Sequence, residues 1–176
     1  LTALYSGQPA QPWDVVHWRH PLPGLAGLPA TLVSRGYETA YFHGAGLSFE
    51  QKRDFLSMVG IRTFFELDGR VDEPTYGWGW SDAYTLEHFQ GWIEEHVQSR
   101  PEVPFLAVWA TLSAHHPYEL PASWQRRFET DGGKRNDFHE TLRYTDHQLG
   151  LLHDWYVEHE LPRGTYLVVT SDHAPL

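Results

Sequence analysis

The sequence predicts an α/β protein with a mostly parallel sheet and helices on both faces. Segments in which apolar residues recur at helical spacing alternate with short apolar segments of strand length. The strand candidates are apolar at nearly every position, which is typical of parallel strands covered on both faces. A chain of 176 residues with 41% hydrophobic content can form one substantial core, so we predict a single domain over residues 1–176.

The predicted elements follow an irregular start that is rich in Pro and Gly. Glycines mark the ends of two short helices, at Gly36 and Gly60. In chain order we predict a helix at 28–35, a strand at 37–42, a helix at 49–59, a strand at 62–67, a helix from 81 to about 98, a strand at 104–112, a loop at 130–136, a long helix ending near 162 and a strand at 165–170.

Two of these helices are predicted to bury one face each. The first begins at Ser81, a good N-cap, with the charge of Asp82 in its first turn. Its apolar residues at helical spacing are Leu86, Phe89, Ile93 and Val97, and those of the long helix are Leu142, Leu149, Leu152 and Tyr156. The strand at 104–112 is too uniformly apolar for the edge of a sheet, so we predict an interior strand.

Composition excludes several classes of function. The net charge of -10, from 23 acidic against 13 basic residues, would repel a nucleic acid backbone, so we expect no nucleic acid partner. The absence of cysteine excludes a disulfide framework, a thiolate zinc site and a Cys nucleophile within this stretch. The sequence begins at Leu1 and stops at Leu176 directly after an apolar segment, so we expect a piece of a longer protein, truncated at both ends.

Polar clusters follow three of the predicted strands. His43 follows the first, His115 and His116 follow the strand at 104–112, and Asp172-His173 follows the last. Because ligands gather beyond the carboxyl ends of parallel strands, we expect these clusters to share one edge of the sheet if the strands are neighbours.

The Asp172-His173 pair is the strongest candidate for a metal site. A carboxylate oxygen together with an imidazole nitrogen suits Mn²⁺ or Zn²⁺ better than Ca²⁺, which prefers oxygen ligands only. Asp172 as a turn cap beside a merely polar His173 is the alternative, and the spacing alone leaves it open.

The other candidates each have a plain structural alternative. His115 is placed to bind a substrate oxygen or to donate a proton, or it is a loop histidine bonded to backbone. His43 is weaker, since a histidine at a glycine turn usually makes local hydrogen bonds. Lys52 and Arg53 suit an anionic group, although such residues often only solvate a helix face. Trp78-Gly79-Trp80 suggests sugar stacking, but an aromatic core with a tight turn is the favoured explanation.

With these residues in order, the chain resembles the sulfatase-type catalytic domain of lipoteichoic acid synthases and related membrane-anchored phosphoglycerol transferases, within the alkaline phosphatase/sulfatase superfamily. The matching stretches occur in the family's order and cover most of the chain from residue 28 onward. They are LPATLVSRGYETAYFHGAGLSFEQKRDFLSMVGI (28–61), WGWSD (78–82), PFLAVWATLSAHHPYEL (104–120), TLRYTDHQLGLL (141–152) and TYLVVTSDH (165–173).

The resemblance implies a metal site and a nucleophile. Asp172 and His173 would bind a divalent metal, Mn²⁺ first, with Zn²⁺, Mg²⁺ or Ca²⁺ as alternatives. The family's nucleophilic threonine and a further acidic ligand would precede Leu1.

The resemblance also implies a substrate side. His115 would be the catalytic residue that contacts the transferred group, and His43 would lie in the substrate-side loop. Where the family carries Trp-x-Arg, this sequence has Glu50-Gln51-Lys52-Arg53, so Lys52 or Arg53 would take the place of the arginine.

The function that follows is metal-dependent chemistry on an anionic phospho- or sulfo-ester, with phosphoglycerol transfer to a lipid- or glycan-linked acceptor of the cell envelope as the first expectation. The parent protein would be anchored in the membrane through helices upstream, with the catalytic domain outside the cytoplasm. A sulfatase or a phosphoethanolamine transferase on the same fold is the alternative. A non-catalytic binding domain with a degenerate site, or a carbohydrate-binding module built on the tryptophans, would be a function of another class.

Overall fold

The computed structural model describes residues 27–69, 72–159, 161–162 and 164–171. The elements, in chain order, are α1 (Leu28–Val33), β1 (Glu38–His43), a 3-10 turn (Phe49–Gln51), α2 (Lys52–Met58), β2 (Thr63–Phe65), β3 (Thr75–Tyr76), β4 (Gly79–Trp80), α3 (Asp82–Ser99), β5 (Phe105–Ala110) and α4 (Arg135–Glu158).

The main sheet has three parallel strands in the order β2-β1-β5. The parallel β1–β5 pair requires a long crossover, and this crossover contains α3, in the manner of βαβ units. The predicted α/β class with a parallel sheet is therefore confirmed. β3 and β4 form a separate antiparallel hairpin, which the sequence patterns do not predict because two-residue strands are too short to show a period.

Helices cover both faces of the sheet. Successive side chains of β1 point to opposite faces, so each face packs against its own set of helices. Tyr41 packs on one face with Phe55 and Leu56 of α2. Ala40 and Phe42 pack on the other face, against a cluster that also contains Leu86, Phe89 and Ile93 of α3 and Leu152 of α4. Burying side chains of this size contributes roughly 1.5–3 kcal/mol each, so these two clusters hold β1 in the centre of the fold.

Two strand predictions differ from the structure. β5 pairs with β1 on one side only and is an edge strand of the described sheet, with every residue half-buried. Residues 165–170 form no strand, since in the described part of the chain no neighbouring strand satisfies their backbone groups. Tyr166, Val168 and Val169 are 65–86% exposed, while Leu167 packs against the second core cluster.

The buried face of α4 also differs from the prediction. Leu152 is buried as predicted, but Leu142 is exposed. The other residues on the buried face are largely polar: Asp137, Glu140, Thr141, Tyr144 and Gln148. The carboxylates are buried because they accept hydrogen bonds from the segment that precedes the helix, which offsets their loss of water. Within the described ranges, no helix is long and apolar enough to span a bilayer.

Candidate functional site

The carboxyl ends of β1 and β5 lie side by side at one edge of the sheet. Parallel pairing aligns their last residues, His43 and Ala110. The His43 side chain is buried, and its Nδ1 lies 3.0 Å from the carbonyl oxygen of Ala110. Because a carbonyl oxygen only accepts, Nδ1 is the nitrogen that donates in this contact. Two of the three predicted clusters therefore follow neighbouring strands, and the third, at Asp172, lies outside the described residues.

His115 lies on the segment that follows β5, residues 111–118, here called the His115 loop. The His115 amide donates to the carbonyl of Leu112 at 2.8 Å, and the Tyr118 amide donates to the carbonyl of His115 at 3.0 Å. The His115 ring is exposed, and its Nδ1 lies 2.7 Å from the carbonyl oxygen of His116. This contact places the donor hydrogen on Nδ1, so Nε2 is the nitrogen available to a ligand as an acceptor, or as an acid when the ring is protonated.

Asp82, the first residue of α3, fixes the beginning of the His115 loop. Its side chain is almost fully buried, with 1% exposed. Oδ1 accepts from the amides of Leu112 at 2.7 Å and Ser113 at 3.2 Å, and Oδ2 accepts from the Thr145 hydroxyl at 3.1 Å. Burial raises the pKa of Asp82, while the amides of Leu112 and Ser113 and the Thr145 hydroxyl oppose this change.

Ser81, the residue before Asp82, makes hydrogen bonds in the same region. Ser81 is the N-cap of α3, as predicted, and its hydroxyl accepts from the Tyr84 amide at 3.3 Å. The Tyr144 hydroxyl accepts from the Ala83 amide at 3.2 Å. Burial raises the pKa of Tyr144, against a hydrogen bond with Ser81. α3, α4 and the His115 loop thus meet around the Ser81-Asp82 pair.

The β3–β4 hairpin supplies the wall beside His115. The ring of Trp78 is 48% exposed and lies 4.5 Å, centroid to centroid, from the His115 ring. The Gly77 amide donates to Oε2 of Glu119 at 2.8 Å, and a Cβ at Gly77 would come within 2.8 Å of Pro117 Cδ. Trp80 is buried, which confirms the aromatic-core explanation for that residue but not for Trp78.

A backbone contact joins the hairpin to the end of β1. The Trp80 amide donates to the carbonyl of Gly44 at 3.0 Å. A Cβ at Gly79 would lie 2.1 Å from that carbonyl oxygen, and a Cβ at Gly44 would lie 2.5 Å from the carbonyl of Trp80. Only glycine permits this approach at both positions. The ends of β1 and β5 and the hairpin therefore form one edge around His115.

The two cations predicted to bind an anion lie at the beginning of α2, after the loop that follows β1. Arg53 forms an ion pair with Glu66 and lies 4.5 Å above the Phe64 ring. Glu66 also accepts the amide of Leu47. Arg53 thus has a structural role that the sequence did not indicate. Substrate binding by Lys52 and Arg53 stays a prediction.

The predicted metal ligands, Asp172 and His173, lie outside the described residues. Among the residues that the structure describes, no three His, Asp or Glu side chains are grouped so that they could hold a metal ion. Metal binding by Asp172 and His173 therefore stays a prediction as well.

The supporting residues Asp82, Ser113 and Thr145 were not predicted as part of the site. The sequence did carry a signal for Asp82, because positions 82, 86, 89 and 93 share one helix face and the last three are buried apolar residues. A carboxylate on the buried face of a helix must find hydrogen-bond donors. The position of Asp82 in line with the buried apolar residues therefore indicates a tertiary hydrogen-bonding role besides its favourable charge at the helix N-terminus.

Comparison with known proteins gives a family match and two similar structures. The family model described as Sulfatase matches residues 1–176. The lipoteichoic acid synthase LtaP from Listeria monocytogenes superposes with a TM-score of 0.75 at 21% identity, and the match covers 89% of this chain and 38% of LtaP. A protein of the alkaline phosphatase superfamily from Vibrio parahaemolyticus superposes with a TM-score of 0.71 at 23% identity, over 90% of this chain and 38% of that protein.

The chain therefore spans less than half the length of either structure. None of the curated proteins matches this sequence. At these identities the two structures establish a shared fold, and they confirm the lipoteichoic-acid-synthase-like fold to which the sequence stretches pointed.

Proposed function

Because the chain belongs to the sulfatase family, we propose that it is part of an enzyme that transfers or hydrolyses phosphate or sulfate esters, with phosphoglycerol transfer as the first candidate. The fold shared with a lipoteichoic acid synthase supports this choice. The chain covers 38% of that enzyme, so the activity is proposed for the longer protein of which this chain would be a part.

The arrangement of His115 is the observation that carries the proposal. An exposed imidazole beyond the carboxyl end of a parallel strand stands where such folds bind ligands. Because Nδ1 is in contact with the His116 carbonyl, Nε2 is the nitrogen left to meet a substrate. When protonated, His115 would donate a hydrogen bond from Nε2 to an ester oxygen and pass that proton to the leaving oxygen; the neutral ring would only accept at Nε2. A positioned acid of this kind contributes typically 10²–10⁴-fold to a rate.

A divalent metal belongs to the same proposal. Asp172 and His173 would hold it, Mn²⁺ first and Zn²⁺ next, because a carboxylate oxygen and an imidazole nitrogen suit these two ions. Mg²⁺ and Ca²⁺, which prefer oxygen ligands, are further alternatives. When bound, the metal would stabilise the negative charge that develops on the ester oxygens. A threonine nucleophile and a further acidic ligand are proposed to precede Leu1.

The proposed substrate is an anionic phospho- or sulfo-ester linked to a lipid or to a cell-envelope glycan. His43, Lys52 and Arg53, which follow or end β1, would lie on its side of the site. The parent enzyme is proposed to be membrane-anchored, with this domain outside the cytoplasm, as the resemblance of the sequence stretches to membrane-anchored phosphoglycerol transferases implies.

The test is turnover by the full-length enzyme. The substrates are a lipid with a phosphoglycerol headgroup, 4-nitrophenyl phosphate and 4-nitrophenyl sulfate, each assayed before and after treatment with EDTA and re-addition of Mn²⁺. We expect turnover of the phosphoglycerol lipid, loss with EDTA and recovery with Mn²⁺. His115→Ala should lower turnover by roughly 10²-fold or more.

His116→Ala is the matched control, because His116 is a neighbouring exposed histidine whose backbone carbonyl, not its ring, accepts from His115. It should retain turnover within a few fold. Near-normal turnover by His115→Ala would refute the role of His115. Turnover of 4-nitrophenyl sulfate alone would support a sulfatase instead of a phosphoglycerol transferase. Inactivity on every substrate with the metal present would favour a non-catalytic binding domain.

A further inference from the structure

Asp82 and Ser113 are joined by reciprocal hydrogen bonds across two separate segments. The carboxylate of Asp82 accepts from the Ser113 amide, and the Asp82 amide donates to Oγ of Ser113 at 3.2 Å. The Ser113 hydroxyl thereby satisfies one of the unpaired amides at the beginning of α3. The start of the helix and the start of the His115 loop are fixed to each other in both directions.

Leu112 connects the hydrogen-bonded pair of Asp82 and Ser113 to His115. The Leu112 amide donates to Asp82, and the Leu112 carbonyl accepts from the His115 amide at 2.8 Å. A shift of Leu112 would thus move the backbone of His115. Thr145 of α4 donates to the second carboxylate oxygen and anchors Asp82 from the other side.

Stability alone is a poor reason for an aspartate at this position. A buried carboxylate is costly unless it is paired and fully hydrogen-bonded, and the bonds described for Asp82 come from amides and a hydroxyl rather than from Lys or Arg. The helix N-terminus offsets only part of this cost, typically 0.3–1 kcal/mol and up to about 2 kcal/mol. An apolar side chain could hold none of these groups, whereas an amide would keep one oxygen for the Leu112 and Ser113 amides and lose the carboxylate acceptor of the Thr145 hydroxyl.

We propose that Asp82 is a positioning residue that holds the His115 loop in the geometry needed for turnover. The proposal rests on the role proposed for His115, through which Asp82 acts. A displacement of the imidazole by about 1 Å is enough to lower a rate roughly 10²-fold, and loss of the carboxylate would release Leu112 and Ser113 together.

The test compares Asp82→Ala, Asp82→Asn, His115→Ala and the double variant Asp82→Ala/His115→Ala in the full-length, metal-loaded enzyme with a phosphoglycerol lipid. We expect Asp82→Ala to lower kcat by roughly 10–10²-fold, with KM changed about threefold or less. Asp82→Asn keeps an acceptor for the Leu112 amide and should recover most of kcat. The double variant should be no slower than His115→Ala, because the two changes remove the same contribution.

Asp137→Asn is the control for a purely structural effect. Asp137 is also a buried carboxylate that accepts backbone amides, but it holds the loop at residues 130–133. Assayed below its melting temperature, this variant should keep kcat. If Asp82→Ala does not fold, Ser113→Ala and Thr145→Val replace it in the test, because each keeps the Asp82 carboxylate with both backbone amides and removes only hydrogen bonds of one hydroxyl.

The outcomes separate this inference from the proposed function. Loss of activity in His115→Ala with an independent, additive effect of Asp82→Ala would overturn the positioning role alone. A fall in kcat for Asp82→Ala, or for the two variants that replace it, no larger than for Asp137→Asn would do the same. Full activity of His115→Ala would refute the role proposed for His115 and with it the positioning role of Asp82, whereas inactivity of the unchanged enzyme on every substrate would refute the proposed function.

Discussion

Asp137→Asn should remove a defined part of the stability at neutral pH. The Asp137 carboxylate is buried on α4. Burial acts to raise its pKa, but the Gly133 amide, the Thr130 hydroxyl, the Asp131 amide and the Arg126 guanidinium all donate to it and lower the pKa from 3.8 to about 2. One pH unit of pKa difference corresponds to about 1.4 kcal/mol, so the ionised group contributes about 2 kcal/mol to the free energy of unfolding.

The sign of the pH dependence follows from the lowered pKa. The contribution is fully present above the unfolded pKa of 3.8 and is lost as the pH falls toward about 2, the folded value. About half should be lost by pH 3. Asp137→Asn should therefore be less stable than the unchanged protein by about 2 kcal/mol at pH 7 and by about half of that at pH 3.

Urea unfolding followed by tryptophan fluorescence at pH 7 and pH 3 measures both differences. Asp146→Asn removes a charge from an exposed position of the same helix and should change stability by less than about 0.5 kcal/mol. A difference between Asp137→Asn and the unchanged protein that is equal at the two pH values would refute the electrostatic reasoning and leave only a packing effect.

Two further substitutions, each with a matched comparison variant, test a close backbone contact and a buried carboxylate by urea unfolding. Gly79→Ala places a methyl group against the carbonyl of Gly44 and should destabilise the protein by about 1–3 kcal/mol, whereas Gly91→Ala, in open space within α3, should stabilise it by about 0.5–1 kcal/mol. Equal effects would contradict the close contact. Glu140→Ala leaves the Arg127 amide and neighbouring donors without their acceptor and should cost about 1–3 kcal/mol. Glu140→Gln keeps an acceptor and should cost less, and an equal cost would count against hydrogen bonding as the cause.

The sequence predicted most of the fold because periodic burial is a local property. The face of α3 that carries Leu86, Phe89 and Ile93 is buried as its spacing predicts, and β1 lies where apolar residues run into His43. Pairing is not local. The apolar composition of β5 indicated an interior strand, but a strand's place in a sheet depends on which segments pair with it, and within the described ranges only β1 does so.

The site was predictable in part for the same reason. The sequence placed His43 and His115 near one another because residues after strand ends collect at one edge of a parallel sheet, while their functional roles stay predictions. Asp82, Thr145 and Ser113 lie far apart in the sequence, and their hydrogen bonds depend on how α3 and α4 pack. The sequence did not indicate the ion pair of Arg53, because nothing in its neighbourhood along the chain pointed to Glu66, thirteen residues away. Tertiary partners decide such roles.

The backbone contact between Gly44 and Gly79 bears on how a substrate enters. The hairpin is hydrogen-bonded to the end of β1 at Trp80 and packs against Pro117 at Gly77, so it is anchored at two points. Trp78 lies between these two anchored positions, beside the ring of His115. If His115 binds the substrate as proposed, the ligand would meet a wall that is already in place, and discrimination by size on this side would not need closure of the hairpin.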